Sequence, residues 1–335
     1  MTSSFTRRFL AGALASALLV VTGCGAGSDT AQQAPGADGG AYPVTIAHKY
    51  GSTTITAAPK RVVTVGLTEQ DSLLALGVVP VGTTEWFGKF PGAIGPWAQD
   101  ELGTAPKPEV LSDTDGPQYE KIAALRPDLI IGLYSALTQE QYDTLSKIAP
   151  TVAQPKDVSD YGISWQESTR TIGKILGKSA EAGKLVSDVE ARFTKARADN
   201  PAFAGATALV VTNYQGYFVY SSEDPRSRVL TSLGFVLPGD PATNNKFGAN
   251  ISAEHTDLLN VKALVWLTNA DTHNTLNADK LYSNLDVAKQ KREVFVPDDT
   301  EYGSAMSFVS VLSLPYLLDQ LVPQLAAAVD GNPAT

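Results

Sequence analysis

Cys24 is the only cysteine in the chain, and its three histidines, His48, His255 and His273, stand far apart without metal-ligand spacing. A supported nucleophile is hard to assemble from this inventory. There is no GxSxG, no HExxH and no phosphate loop, and Gly23-Cys24-Gly25-Ala26-Gly27 follows no strand that could make it a dinucleotide fingerprint. Asp298 and Asp299 are adjacent acids in a loop, where carboxylates are usually solvated. What recurs instead is aromatic residues beside turn residues, at Trp86, Phe87, Tyr134, Tyr214, Tyr217 and Tyr302, with Thr68, Glu69, Asn269 and Ser304 in similar settings. Flat rings give large contact area at small entropy cost, and Tyr and Trp keep a hydrogen-bonding handle. That chemistry recognises a ligand without turning it over, so no enzyme is expected.

Cys24 has a different task. It closes Val21-Thr22-Gly23-Cys24 after the apolar run FLAGALASALLVV, which Arg7 and Arg8 precede with no acidic residue. Phe9 to Val21 falls short of the ~20 apolar residues that span a bilayer, so residues 1–23 read as a cleavable export signal. Its end resembles a bacterial lipobox, whose thiol is alkylated with diacylglycerol. Arg7-Arg8 is an incomplete match to a twin-arginine signal, leaving the export route open. Gly25 to Gly40 holds no large apolar residue, which makes 24–41 a flexible tether. No cysteine remains beyond it for a disulfide, so stability must come from packing. The formal charge is -9 before the signal's two arginines are removed, and no basic run exists to neutralise phosphates. Nucleic acid is not an expected partner, whereas a basic protein surface is compatible with this acidity.

The elements that would position these residues follow from periodicity. Val44 to Thr56 alternates around Tyr50-Gly51-Ser52 as a hairpin, and RVVTV, VVPVGT and DLIIGL are short β-branched runs suited to strands buried on both faces. TEQDSLLALG, EKIAALR and Thr138 to Ile148 are helices between or after them. From Ser164 to Asn200 the composition is helical, split at Gly177-Lys178; Ser179 to Ala198 carries an apolar stripe through Ala182, Leu185, Val186, Val189 and Phe193. Alternation resumes with ATALVVT, SRVLTSLG, ALVWLT and EVFV, and closing helices run from Ala305 to Ala327. The expected organisation is an α/β lobe over 42–178, a bridging helix over 179–198 and a second α/β lobe over 199–330, each with a parallel sheet. Glu120 opens EKIAALRPDLII and Glu254 opens EHTDLLNVKALVWL, a loose internal echo.

In open parallel sheets ligands bind beyond the carboxyl ends of the strands. That rule selects the loops at 66–70, 84–88 and 134–135, and in the second lobe those at 213–217, 269–271 and 301–304. Phe90, Trp97, Tyr119 and Tyr220 lie nearby in sequence. Each aromatic could equally be packed at a sheet edge. Arg226 and Arg228, at a helix start, either donate to a ligand or pair with Glu223 and Asp224.

The signal, the tether, RVVTVGLTEQDSLLALGVVPVG, EKIAALRPDLII, the two-part central helix and SVLSLPYLLDQL together resemble the substrate-binding lipoproteins of iron-siderophore and vitamin B12 type ABC importers (class III). The resemblance covers about Lys60 to Leu325. It implies two Rossmann-like lobes joined by one rigid helix, with ligand in the cleft between them. It further implies that Glu120 and Glu254 form salt bridges with arginines of the permease; read without it, both are ordinary first-turn acids. The implied cargo is a ferric siderophore, whose own six oxygens satisfy the metal, so no protein metal ligand and no cofactor are expected. Few cations in the cleft loops favour a hydroxamate over a highly anionic catecholate. Haem, ferric citrate or cobalamin are the alternatives, with a surface sensor or a hydrolytic enzyme further behind. The chain is expected to act as a monomer.

Overall fold

The computed structural model describes residues 41–239, 247–269 and 271–331, without the side chain of Phe87. Cys24, the export signal and the tether to residue 40 lie outside the described residues.

The alternating opening segment forms a hairpin of β1 (Val44–His48) and β2 (Gly51–Ile55), which places Val44, Ile46 and Ile55 against the first lobe's core. That lobe continues through β3 (Val62–Thr64), α1 (Glu69–Ala75), β4 (Gly82–Thr84), α2 (Gln99–Leu102) and β5 (Glu109–Leu111). It then runs through α3 (Tyr119–Ala124), β6 (Leu129–Ile131), α4 (Gln139–Leu145) and β7 (Thr151–Val152). The five strands lie in the order β5-β4-β3-β6-β7, all parallel. Their brevity and the complete burial of β3, β4, β6 and β7 match the β-branched runs, while edge strand β5 buries only Leu111: Val62 and Leu129 face one core layer, Val63 and Ile130 the other. Thr138 caps α4 with a full capping box to Gln141, whereas Thr68 stands before α1 without a side-chain cap bond.

Two helices, α5 (Trp165–Ile175) and α6 (Ser179–Asp199), separate the lobes. A Cβ on Gly173 would lie 2.3 Å from the Cβ of Ala182, so their close approach requires glycine there. The apolar stripe of α6 is divided between two cores. Ala182 belongs to the first lobe, Val189 and Phe193 to the second, and Leu185 touches both. A single helix of about 30 Å is thereby fixed at each end by burial.

The second lobe comprises β8 (Ala208–Asn213), β9 (Tyr217–Tyr220), α7 (Pro225–Ser232), β10 (Gly248–Ile251), β11 (Ala263–Thr268) and α8 (Thr272–Ala278). It ends with α9 (Lys280–Ser283), α10 (Asp286–Lys289), β12 (Glu293–Pro297), α11 (Glu301–Phe308) and α12 (Ser313–Asp330). Its sheet has the order β10-β9-β8-β11-β12, equivalent to the first. Only β8, β11 and β12 keep the expected parallel pairing; β9 is antiparallel to both β8 and β10. The reversal is made at Tyr214-Gln215-Gly216, where Gln215 and Gly216 take φ of 54° and 111°. Glu254 opens a 3₁₀ segment, Ala253–Leu259, rather than an α-helix.

Candidate functional site between the lobes

A cleft of about 410 Å³ is lined by both lobes. The first lobe contributes Leu67, Trp86 and Tyr134, from the loops after β3, β4 and β6, together with Tyr161 ahead of α5. The second contributes Phe218 and Tyr220 from β9, Asp224 and Arg226 from the start of α7, and Phe247 beside β10. Most of the wall is aromatic. Ring centroids are 5.7 Å apart for Trp86 and Tyr134, 5.5 Å for Tyr134 and Tyr161, and 6.2 Å for Tyr161 and Phe247 across the lobes. Trp86 also packs on Phe308, at 5.4 Å. Burial raises the phenol pKa of Tyr134, Tyr161 and Tyr220, so the cleft offers neutral hydroxyls rather than phenolates.

Its charge is balanced within one turn of helix. Asp224 caps α7 by accepting from the backbone N–H of Arg226 at 2.8 Å, and its carboxylate also accepts from the Arg226 guanidinium at 3.0 and 3.2 Å. Both residues are buried. Burial opposes the guanidinium's charge, but Asp224 and the nearby tyrosines outweigh it, leaving the Arg226 pKa above its ordinary value. The guanidinium lies 4.7 Å from the Tyr220 ring and 6.0 Å from that of Trp86. Its Nε–H is buried without a hydrogen-bond partner among the described residues. An unsatisfied buried donor in an aromatic wall is suited to a ligand oxygen.

Other expected residues have different places. Glu69 is fully buried: its carboxylate accepts from the backbone N–H of Tyr134 at 2.7 Å and of Thr68 at 3.1 Å. It pins the loop after β3 to the loop after β6, and burial pushes its pKa up to about 7. A Cβ on Gly66 would collide with this carboxylate, which explains glycine at that position. Thr68 is likewise buried. Arg228 ties the lobes together, donating to the carbonyls of Gly162 at 2.9 Å and Ile163 at 3.4 Å. Tyr217 sits in the second-lobe core against Trp266, with its hydroxyl on Asp279 at 2.7 Å. Tyr302 is buried in the opposite core layer of that lobe, and Ser304 lies beside the backbone of Gly88. Tyr214 is exposed at the hairpin tip, and exposed Asn269 accepts from Thr272 at 3.0 Å. The side chain of Phe87 is outside the described residues. Thus Trp86, Tyr134 and Arg226 meet in the cleft, and Tyr161, Phe218 and Phe247 join them without having been singled out. Tyr161 and Phe247 follow no strand end; Phe218 was concealed by the reversal of β9.

A second interlobe contact lies behind Phe308. Asp71, fully buried, accepts from Trp97 Nε1 at 2.7 Å and from the hydroxyl of Ser310, and burial pushes its pKa up to about 6. The Trp97 ring packs on Phe308 at 5.2 Å.

Glu120 and Glu254 are exposed, make no ion pair among the described residues, and occupy equivalent places in the topology. Each is in the first turn of the segment that returns from an edge strand, β5 or β10, to the neighbour of the lobe's central strand, β6 or β11.

Known proteins share this architecture. The periplasmic solute binding protein of Mycobacterium smegmatis has 38% identity and a TM-score of 0.75, over 85% of this chain and 98% of that one. The Streptococcus pneumoniae protein PiaA, solved in complex with ferrichrome, has 28% identity and a TM-score of 0.76, over 86% and 99%. The ferric-anguibactin-binding protein FatB of Vibrio anguillarum is 25% identical over 84% of this chain and 87% of its own. The chain spans 58% of the length of Bacillus subtilis YhfQ, at 30% identity. The description "Periplasmic binding protein" matches residues 62–300, most of both lobes, and with the paired sheets, the shared α6 and the interlobe cleft it establishes that the chain belongs to that family of binding proteins.

Proposed function

We propose that this protein captures a ferric siderophore, preferentially a hydroxamate, between its lobes and delivers it to the permease of an ABC importer. The observation that carries the reading is the cleft wall: aromatic side chains from both lobes surround Arg226, whose charge Asp224 already balances and whose Nε–H has no partner among the described residues. A neutral or weakly charged chelate gains contact area and one donor there. A triply anionic catecholate would have to be desolvated against no net positive charge in this wall. The ferrichrome complex of PiaA and the ferric-anguibactin and Fe(3+)-citrate names of FatB and Bacillus subtilis YfmC support iron chelates as the cargo class.

The permease would be met through Glu120 and Glu254, one per lobe, and Cys24 would hold the protein at the extracytoplasmic membrane surface. "Lipoprotein" in the names of YhfQ and YfiY supports the anchor. The lobe limits of 42–178 and 199–330, with 24–41 as tether, belong to the same proposal, as does a monomeric state.

The test is intrinsic tryptophan fluorescence titrated with ferric hydroxamates, ferric catecholates, ferric citrate, haem and cobalamin, because Trp86 lines the cleft. Saturable quenching strongest with the hydroxamates is expected. Tight binding of a triply charged catecholate without hydroxamate binding overturns the ligand class, and binding of haem or cobalamin alone reassigns it.

A further inference from the structure

Beside the aromatic cleft lies a smaller chamber of about 190 Å³, and the two share Leu67 and Tyr161 as a partition. Its volume is below the ~300 Å³ at which small-molecule pockets ordinarily begin, so it suits an arm of a ligand rather than a second ligand. Its lining is polar. Asp113 stands at its exposed side, and Gly116 opens it toward Gln141, whose amide nitrogen would lie 3.2 Å from a Cβ at that glycine. Two other side-chain oxygens of the lining already make hydrogen bonds: Gln141 Oε1 accepts from the backbone N–H of Thr138 at 2.9 Å, and Ser135 Oγ donates to the Gly132 carbonyl at 2.7 Å. Asp113 makes no ion pair among the described residues. The walls desolvate its carboxylate enough to raise its pKa.

The partition is itself unusual. Tyr161 is held at a φ of 55°, in the left-handed region that residues other than glycine rarely occupy. Its N–H donates to the Ser135 carbonyl at 3.1 Å, and its ring is fixed between Tyr134 and Phe247. Such strain persists only where the surroundings hold it, and here they hold an aromatic ring at the junction of a balanced cleft and an acidic chamber. A cation reaching the chamber from the cleft would pass this ring, which lines both, and find the Asp113 carboxylate beyond.

Building on the siderophore reading, we propose that the chamber is a subsite for a cationic arm, an alkylammonium carried by the chelate whose metal-binding body occupies the aromatic cleft. Asp113 supplies the counter-charge and thereby selects among chelates that share one iron-binding core. Arg226 is already neutralised, so the ammonium of such a ligand meets no uncompensated positive charge in the cleft.

The experiment compares ferrioxamine B, a ferric trihydroxamate with a free primary amine, with its N-acetylated form, on the full chain and on Asp113→Asn. The wild-type protein should bind the amine form more tightly by roughly five- to tenfold, the range of a partly exposed charge-assisted pair. Asp113→Asn should abolish that preference while leaving the affinity for the acetylated form unchanged, which also shows that the variant is folded. Equal wild-type affinities, or a preference that survives Asp113→Asn, overturn the subsite alone. If neither compound binds, the hydroxamate reading fails and the subsite falls with it.

Discussion

The two lobes order their strands alike and build the cleft differently. In the first, every strand of the five-stranded sheet is parallel, and Leu67, Trp86 and Tyr134 come from loops at the carboxyl ends of β3, β4 and β6, as the geometry of parallel sheets directs. In the second, a three-residue turn reverses β9, so the wall is made by the side of that strand, through Phe218 and Tyr220, and by the capped start of α7. Among the described residues, the loops after β8, β11 and β12 supply none of the cleft's lining. Site position follows strand direction as well as strand order. Preorganisation differs accordingly: Glu69 fixes backbone to backbone in the first lobe, whereas a buried ion pair places the cation in the second.

This contrast can be broken at several points. The largest effect is expected for Asp224→Ala, which removes the α7 cap and leaves the Arg226 guanidinium buried and unpaired. Loss of a buried pair's partner costs about 3–5 kcal/mol, and denaturant unfolding should read it; a loss below about 1 kcal/mol would mean that the second lobe does not depend on its ion pair. Trp86→Ala comes next, because it removes an aromatic anchor touching Tyr134, Phe308 and Arg226. Ligand affinity by calorimetry should weaken by about 2–4 kcal/mol, and an unchanged affinity removes Trp86 from the site.

A smaller change concerns pH. Glu69 binds its proton more tightly folded than unfolded, so its contribution favours the folded state below about pH 4.5 and is lost as pH rises through about 7. Glu69→Gln should flatten the decline of stability across that window, measured as unfolding free energy against pH. The same slope in both proteins would show that Glu69 does not titrate there. The smallest effect is expected for Tyr217→Phe. It should cost ~1 kcal/mol of stability through loss of the Asp279 bond and leave ligand affinity unchanged; weakened ligand binding would return Tyr217 to the site.

Legibility followed the physics of each signal. The paired strands and helices of the first lobe were readable because β-branched runs bounded by turn residues leave few alternatives, and the stripe from Ala182 to Phe193 marked a helix with apolar residues for two cores. The echo of Glu120 and Glu254 was readable as pattern, and the equivalent strand orders give it a topological basis. Short β5 and β7 carry too few residues for periodicity, and Tyr161 and Phe247 are single aromatics in irregular segments. The turn at Tyr214-Gln215-Gly216 did carry a cue, a glycine between two short runs of β-branched and aromatic residues. Treating it as a loop after a parallel strand placed Tyr217 in the cleft and left out Phe218.

Composition and local pattern alone determined a two-lobed α/β chain, its central helix, and a recognition chemistry built on aromatics with few cations, because helical and strand periods are properties of neighbouring residues. Only the tertiary structure decided which aromatics share a wall, that Glu69 is a strut, that Arg226 is neutralised while Arg228 ties the lobes, and that Asp113 borders a chamber of its own. Those facts depend on strand direction and on contacts between residues distant in the chain, which local periodicity does not encode.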